Sequence, residues 1–369
     1  TGQAYATMPL GMLFATILLK SLVMLIVVGT AAAKLARRPV KEVILRWAWL
    51  GWLWLCVFGG YELLRLGLQM AGFFDAADVL GVFAYYFSAI GVAGCLAMIV
   101  PAVRAASESS ADSRPVDLAP ADADLWSISR ATLAAVAIFS VVFTAMNWQI
   151  FNGLLLPHGD SAMYGEHLWN ITHGKGFRSY LDQGLFLGEH VQVVHLLLLP
   201  LYVVWPSQLL LELCETLTLA AGALPVFWMA RRHSGSTVCG SLLAIAWLLY
   251  TPLQYLDIEI DLKTFRPMSF GVTAMLFGID FFERGRFKST AACFLLALAA
   301  KEDFALILIP LGVWLAGHAW WQRKTGSANL RVGPVAPKRG LVIGAGLTAF
   351  SLAYLLLVTR IVIPWFRNW

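Results

Sequence analysis

Runs of about 18 to 25 apolar residues recur along this chain, and they constrain its fold more than any other feature. That is the length an α-helix needs to cross the ~30 Å hydrocarbon core of a bilayer. The rest of the composition agrees. The chain is 59% hydrophobic and 13% charged, with a mean hydropathy of +0.71, which excludes a soluble globular domain. No series of alternating strands is present, which argues against a membrane β-barrel. The expectation is an all-α polytopic membrane protein of about ten transmembrane helices, near 8–33, 47–68, 79–103, 131–153, 207–230, 237–252, 268–283, 289–300, 304–321 and 341–363.

Lys and Arg orient these segments, because cytoplasmic loops carry an excess of both. The loops at 34–46, 104–130, 231–236, 284–288 and 322–340 hold 18 of the 27 basic residues and are assigned to the cytoplasm. The opposite, outer face then receives a long loop over 154–206, the polar stretch 255–267 and the triplet Lys301-Glu302-Asp303. The formal net charge of +5 is accounted for by the cytoplasmic loops. No basic patch with interleaved aromatics points to nucleic acid.

A Ser/Asp/Pro/Ala stretch at 107–124 lacks apolar periodicity and reads as a flexible linker. Three parts follow: an N-terminal three-helix membrane unit at 1–106, a cytoplasmic linker at 107–130, and a membrane core at 131–369. The chain opens on Thr1 and stops at Trp369 just after an apolar segment, so it is expected to be a piece of a longer protein. Its five cysteines lie far apart in apolar segments and read as small buried hydrophobes.

Polar chemistry concentrates in 158–206, which holds five of the seven histidines and the acids Asp160, Glu166, Asp182 and Glu189. Asp160 opens a helix-compatible stretch at about 161–173 that Gly174 closes. It reads either as a helix cap or as a general base or metal ligand at a cavity mouth. Glu166, Asn170 and His173 recur at i, i+4, i+7 and share one helix face, facing either water or a site. His190 and His195 are five apart, a poor spacing for two ligands on one helix, and no HExxH motif is present. A zinc-dependent hydrolase built on the histidines is therefore the weakest reading. The piece 190–207 is short and contains Pro200 and Pro206, as expected of an interfacial or re-entrant helix.

Two further groups stand on the outer side. Lys263 and Arg266 lie near Asp257, Glu259 and Asp261, either as a self-neutralised loop or as a phosphate site. Lys301-Glu302-Asp303 separates two short apolar pieces without the Gly, Pro, Asn or Ser of an ordinary turn. It reads equally as a hairpin turn or as a charged group facing a wet cavity, where Lys301 can hold a phosphate.

In collinear blocks, these residues resemble a family of bacterial and archaeal membrane proteins, domain of unknown function 2079, which looks related to the GT-C superfamily of membrane glycosyltransferases. The blocks are Asp160, then Leu168-Trp169-Asn170 and His173-Gly174, then FLGEHVQVVHLLLLPLY at 186–202, then Lys301-Glu302-Asp303, and the likeness covers roughly 131–322. The chain departs from the pattern at two places. The family's second loop acid falls at Gly165, with Glu166 one place on, and its Phe-His-Pro-Glu corresponds to Phe265-Arg266-Pro267-Met268.

The resemblance implies an integral-membrane transferase in a bacterial inner membrane, active at the outer face. A polyprenyl-phosphate-linked sugar would be the donor. Asp160 would be the catalytic carboxylate, acting as base on the acceptor or as a metal ligand, and Glu166, Asn170, His173, His190, Lys263, Arg266, Lys301, Glu302 and Asp303 would bind substrate. No cofactor is assigned, and a divalent metal is compatible with the carboxylates. Partners would be the lipid-linked donor and the surrounding lipids, with the acceptor undefined. The alternative is a transporter, or a degenerate transferase kept as a scaffold. A transporter should carry acids inside spanning segments, and Glu62, Glu212, Glu215 and Asp280 are candidates.

Overall fold

The computed structural model describes residues 127–153, 159–179, 184–185, 187–258, 265–325 and 335–367, with scattered positions in 19–80. The expected helices near 8–33, 47–68 and 79–103 and the linker at 107–124 lie largely or wholly outside the described residues. The chain forms two compact units, Thr1–Ser127 with Ala230–Ala246, and Ile128–Met229 with Trp247–Trp369. In the first, Arg231 donates to the Ser127 hydroxyl and the Cys239 thiol donates to the Ala31 carbonyl. The second carries the polar stretches singled out above.

That unit opens with α1 (Arg130–Asn152), started by Ser129, whose hydroxyl accepts from the Thr132 N–H. Helix α2 (Gly159–Thr172) follows, then a two-residue hairpin of β1 (Arg178–Ser179) and β2 (Gly184–Leu185), paired Arg178 to Leu185. A 3₁₀ turn, Val194–Leu198, runs into α3 (Leu199–Val204). Helix α4 (Gln208–Ala221), capped by Ser207, continues past Gly222 into α5 (Ala223–Ser234). Helix α6 (Thr237–Leu249) belongs mostly to the first unit, as does the end of α5, and α7 (Thr251–Ile258) lies in the second. Then follow α8 (Met268–Glu283), α9 (Phe287–Ala300), α10 (Ala305–Thr325) and α11 (Pro337–Leu357). A π-helical turn, Val358–Val362, leads into α12 (Ile363–Arg367).

The seven apolar segments expected after residue 130 each coincide with helix. Among the described residues, four are long and apolar enough to cross a membrane: Arg130–Asn152, Gln208–His233, Glu302–Thr325 and Pro337–Arg367. A fifth arises if Thr237–Leu249 and Pro252–Ile258, bent by 47°, count as one span. Of the seven segments expected within the described residues, α8 and α9 fall short of a span, with only 16 and 14 residues. A perpendicular crossing needs about 20. They form a hairpin instead, turning at Gly285, whose φ of 71° suits glycine.

Lipid tails are as apolar as leucine, so helices in a bilayer associate through close packing rather than transfer from water. Small residues provide that closeness here. Gly271 and Gly278 of α8 leave room for the rings of Phe304 and Phe294, and a Cβ at Gly278 would lie 2.5 Å from Phe294. Gly312 of α10 and Gly344 of α11 let those backbones touch, with a Cβ on Gly344 only 2.6 Å from the Gly312 carbonyl. At the Arg284 end of α8, Asp280 and Arg284 form a buried ion pair at 2.8 Å, and Arg284 also lies over the Trp228 ring.

Candidate functional site

The site is built around α2. Its last turn closes as foreseen at Gly174, which adopts φ 71°, while the Lys175 N–H returns to the Asn170 carbonyl at 2.8 Å. Tyr164 and Leu168 are buried with Leu198, Tyr202, Leu210, Leu211 and Phe265, so α2 is fastened to the 194–204 segment, to α4 and to the residues entering α8. The Tyr164 ring meets Phe265 edge-on at 5.3 Å and His195 at 5.2 Å, and its hydroxyl donates to the Gln192 amide oxygen.

Beside Tyr164, His167 and His195 are buried and bonded to each other, Nδ1 to Nε2 at 3.3 Å. Burial lowers the pKa of each to about 3, and for His195 the neighbouring His167 adds to the effect. Both rings are therefore neutral at pH 7 and share one proton between the facing nitrogens. The family resemblance gave neither histidine a role, and a 28-residue separation left no periodic signal linking them.

The three residues expected on one face of α2 have separate partners. Glu166 accepts from the Ser179 hydroxyl at 3.0 Å, and the Asn170 amide donates to the Arg178 carbonyl at 2.8 Å. Both therefore hold β1 against the helix. His173 is exposed and stacks on Trp169 at 3.5 Å. Beyond the His167–His195 pair, no three His, Cys, Asp or Glu side chains among the described residues are grouped to hold a metal ion.

The charged triplet after α9 is a turn, held by a carboxylate rather than by turn-forming residues. Glu302 is buried and accepts from the His190 ring at 2.7 Å and from the Val191 N–H at 2.9 Å. The Val193 N–H adds a bond to the Ala299 carbonyl. Lys301 pairs with Asp303 at 3.0 Å, and Asp303 is exposed. His190 remains about half exposed on its outer side. Further along, Gly188 abuts the backbone of Arg367, so the end of α12 meets the same loop.

Carboxylates are also buried among the helices. Glu215 of α4 accepts from the Ser269 hydroxyl at 2.6 Å and the Arg266 backbone N–H at 3.4 Å. One residue on, Thr216 donates to Asp257 at 2.8 Å, and the Asn147 amide donates to the Thr216 hydroxyl at 3.1 Å. Glu212, also buried, accepts from Gln208. Asp160 is the second residue of α2, one turn before Tyr164; its side chain and Lys263 lie outside the described residues.

A family model described as a predicted membrane protein, domain of unknown function 2079, matches residues 154–368. No curated protein and no solved structure matches the chain.

Proposed function

The chain belongs to the family of predicted membrane proteins called domain of unknown function 2079, and from that premise we propose that it is an integral-membrane glycosyltransferase. It moves a sugar from a polyprenyl-phosphate donor to an acceptor at the face bearing the 154–206 loop, outside a bacterial plasma membrane. The observation that supports this reading is the Tyr164–Phe265 contact at 5.3 Å. Asp160 is one helical turn before Tyr164, and Arg266 follows Phe265. An acid and a cation about a hundred residues apart in sequence thus come from elements packed on each other.

In the reaction, the acceptor hydroxyl attacks the anomeric carbon and passes its proton to Asp160. The bond from that carbon to the phosphate oxygen breaks, and the polyprenyl phosphate leaves with the electron pair. Arg266, Lys263 and Lys301 are the cations available to the departing charge. Glu302 holds His190 at the loop face, where its exposed side can reach a sugar hydroxyl. Glu166 and Asn170 fix β1 beside α2, and His173 and Asp303 are exposed at its margin.

A second reading, a transporter or a degenerate transferase kept as a scaffold, is favoured by the carboxylates Glu212 and Glu215 buried in α4, within the span Gln208–His233. One experiment separates the two. The protein in lipid nanodiscs is given radiolabelled polyprenyl-phosphate hexoses, and release of polyprenyl phosphate is measured. The transferase releases it, and Asp160→Asn slows release by roughly 100-fold or more while the protein still inserts. Undiminished release by Asp160→Asn removes Asp160 as the base. Movement of an intact donor across a vesicle membrane, with no release, establishes the transporter.

A further inference from the structure

Helices α8 to α11 enclose a cavity of about 530 Å³ that belongs to none of the chemistry above. Its walls are almost wholly apolar, among them Phe287, Leu295, Trp314 and Phe350. These four side chains are also exposed, so the cavity is open sideways to the bilayer. It extends along α9 from Phe287 to Leu298, a rise of ~16 Å, about half the ~30 Å hydrocarbon core. That is one leaflet's depth.

The two ends differ. Towards Lys301 the space is closed by packed core, where Leu298, Phe304, Ala305 and Leu308 are buried together and the Tyr354 hydroxyl donates to the Leu298 carbonyl. At the other end the lining residues Glu283 and Phe287 flank the Arg284–Arg286 turn. Lys288 is exposed just beyond, and α11 begins at that end with exposed Lys338 and Arg339, one turn before the lining residue Ile343. A chain seated in the cavity would place its head at this end, beside exposed Lys288, Lys338 and Arg339 and the partly buried Glu283. A donor reacting at the opposite face has its phosphate at the closed end, so this cavity does not suit it.

We propose that the cavity is a binding site for an anionic glycerophospholipid of the leaflet facing the basic loops, with one acyl chain between α9 and α11 and the phosphate headgroup at Lys288 and Arg339. Basic residues beside an interhelical groove favour anionic over zwitterionic headgroups. The proposal does not depend on the transferase reading.

The test is native mass spectrometry of the full chain released from micelles containing phosphatidylglycerol or phosphatidylcholine. One phosphatidylglycerol should be retained in preference to phosphatidylcholine. A Cβ at Gly346, which lines the cavity, meets nothing within 4 Å, so Gly346→Leu fills the space without backbone displacement. It should abolish retention of either lipid. Lys288→Gln with Arg339→Gln, at exposed positions that leave the core intact, should weaken phosphatidylglycerol retention roughly tenfold and erase the preference. Equal retention of the two lipids by the unaltered protein overturns the site. So does full preference in the double variant, or undiminished retention in a folded Gly346→Leu.

Discussion

Glu302 and His190 are 112 residues apart in the chain and meet at 2.7 Å, with the Val191 N–H on the second carboxylate oxygen. This bond ties the α9–α10 turn to the long loop. Removing it leaves the part-buried Val191 N–H and the half-exposed His190 ring without that acceptor. Glu302→Ala should destabilise the protein by about 2–3 kcal/mol, as expected for bonds to a charged group. Glu302→Gln keeps an acceptor for Val191 and should lose less. Denaturation midpoints in mixed micelles measure both, and an unshifted Glu302→Ala would show the contact to be incidental.

The His167–His195 pair predicts acid lability. Both pKa values are lowered to about 3 in the folded protein, against 6.5 for the free side chain. The unfolded chain therefore binds protons that the folded one refuses. The pair's stability is present above pH 6.5 and is lost as pH falls from there towards 3. At pH 4.5 the loss is on the order of 3 kcal/mol per histidine. Unfolding followed from pH 7.5 to 4.5 should show this slope in the unaltered protein and a shallower one in His167→Asn/His195→Gln. Parallel slopes would assign the acid response to other groups.

Much of the architecture was legible because hydropathy reports directly on helices in a bilayer. The segments after residue 130 and the stop at Gly174 are where their composition puts them. Pairing between distant positions left no such trace. The triplet 301–303 looked ambiguous because its fastening residue, His190, belongs to another loop. Glu166, Asn170 and His173 share a periodicity, but periodicity records only the face and not the partner. The structure gives the first two to β1 and the third to Trp169. Glu215 looked like an acid alone in an apolar segment and Asp257 like part of a self-neutralised loop, because their hydrogen-bond donors, Ser269 and Thr216, come from other helices.

The Asn147–Thr216–Asp257 chain gives a third expectation. Thr216 receives a bond from one neighbour and gives one to the other. Thr216→Val preserves shape and removes both, and should cost about 1–2 kcal/mol, near the upper end for hydrogen bonds within membranes. Thr216→Ser keeps the hydroxyl and should recover most of that. Thermal unfolding of the two variants in the same detergent compares them, and equal midpoints would mean that the hydroxyl contributes nothing.

Two glycines of neighbouring helices separate packing from helix propensity. A Cβ on Gly344 of α11 would lie 2.6 Å from the Gly312 carbonyl, a backbone atom that can yield only if α10 and α11 move apart. A Cβ on Gly317 of α10 meets nothing within 4 Å. Gly344→Ala should therefore destabilise by about 1–3 kcal/mol, the usual cost of overpacking. Gly317→Ala should be neutral or stabilise by up to about 1 kcal/mol, because alanine favours the helix. Both changes add the same methyl group to helices of the same hairpin. Opposite shifts in the unfolding midpoint would locate the α10–α11 crossing at Gly312 and Gly344, and equal shifts would remove it from there.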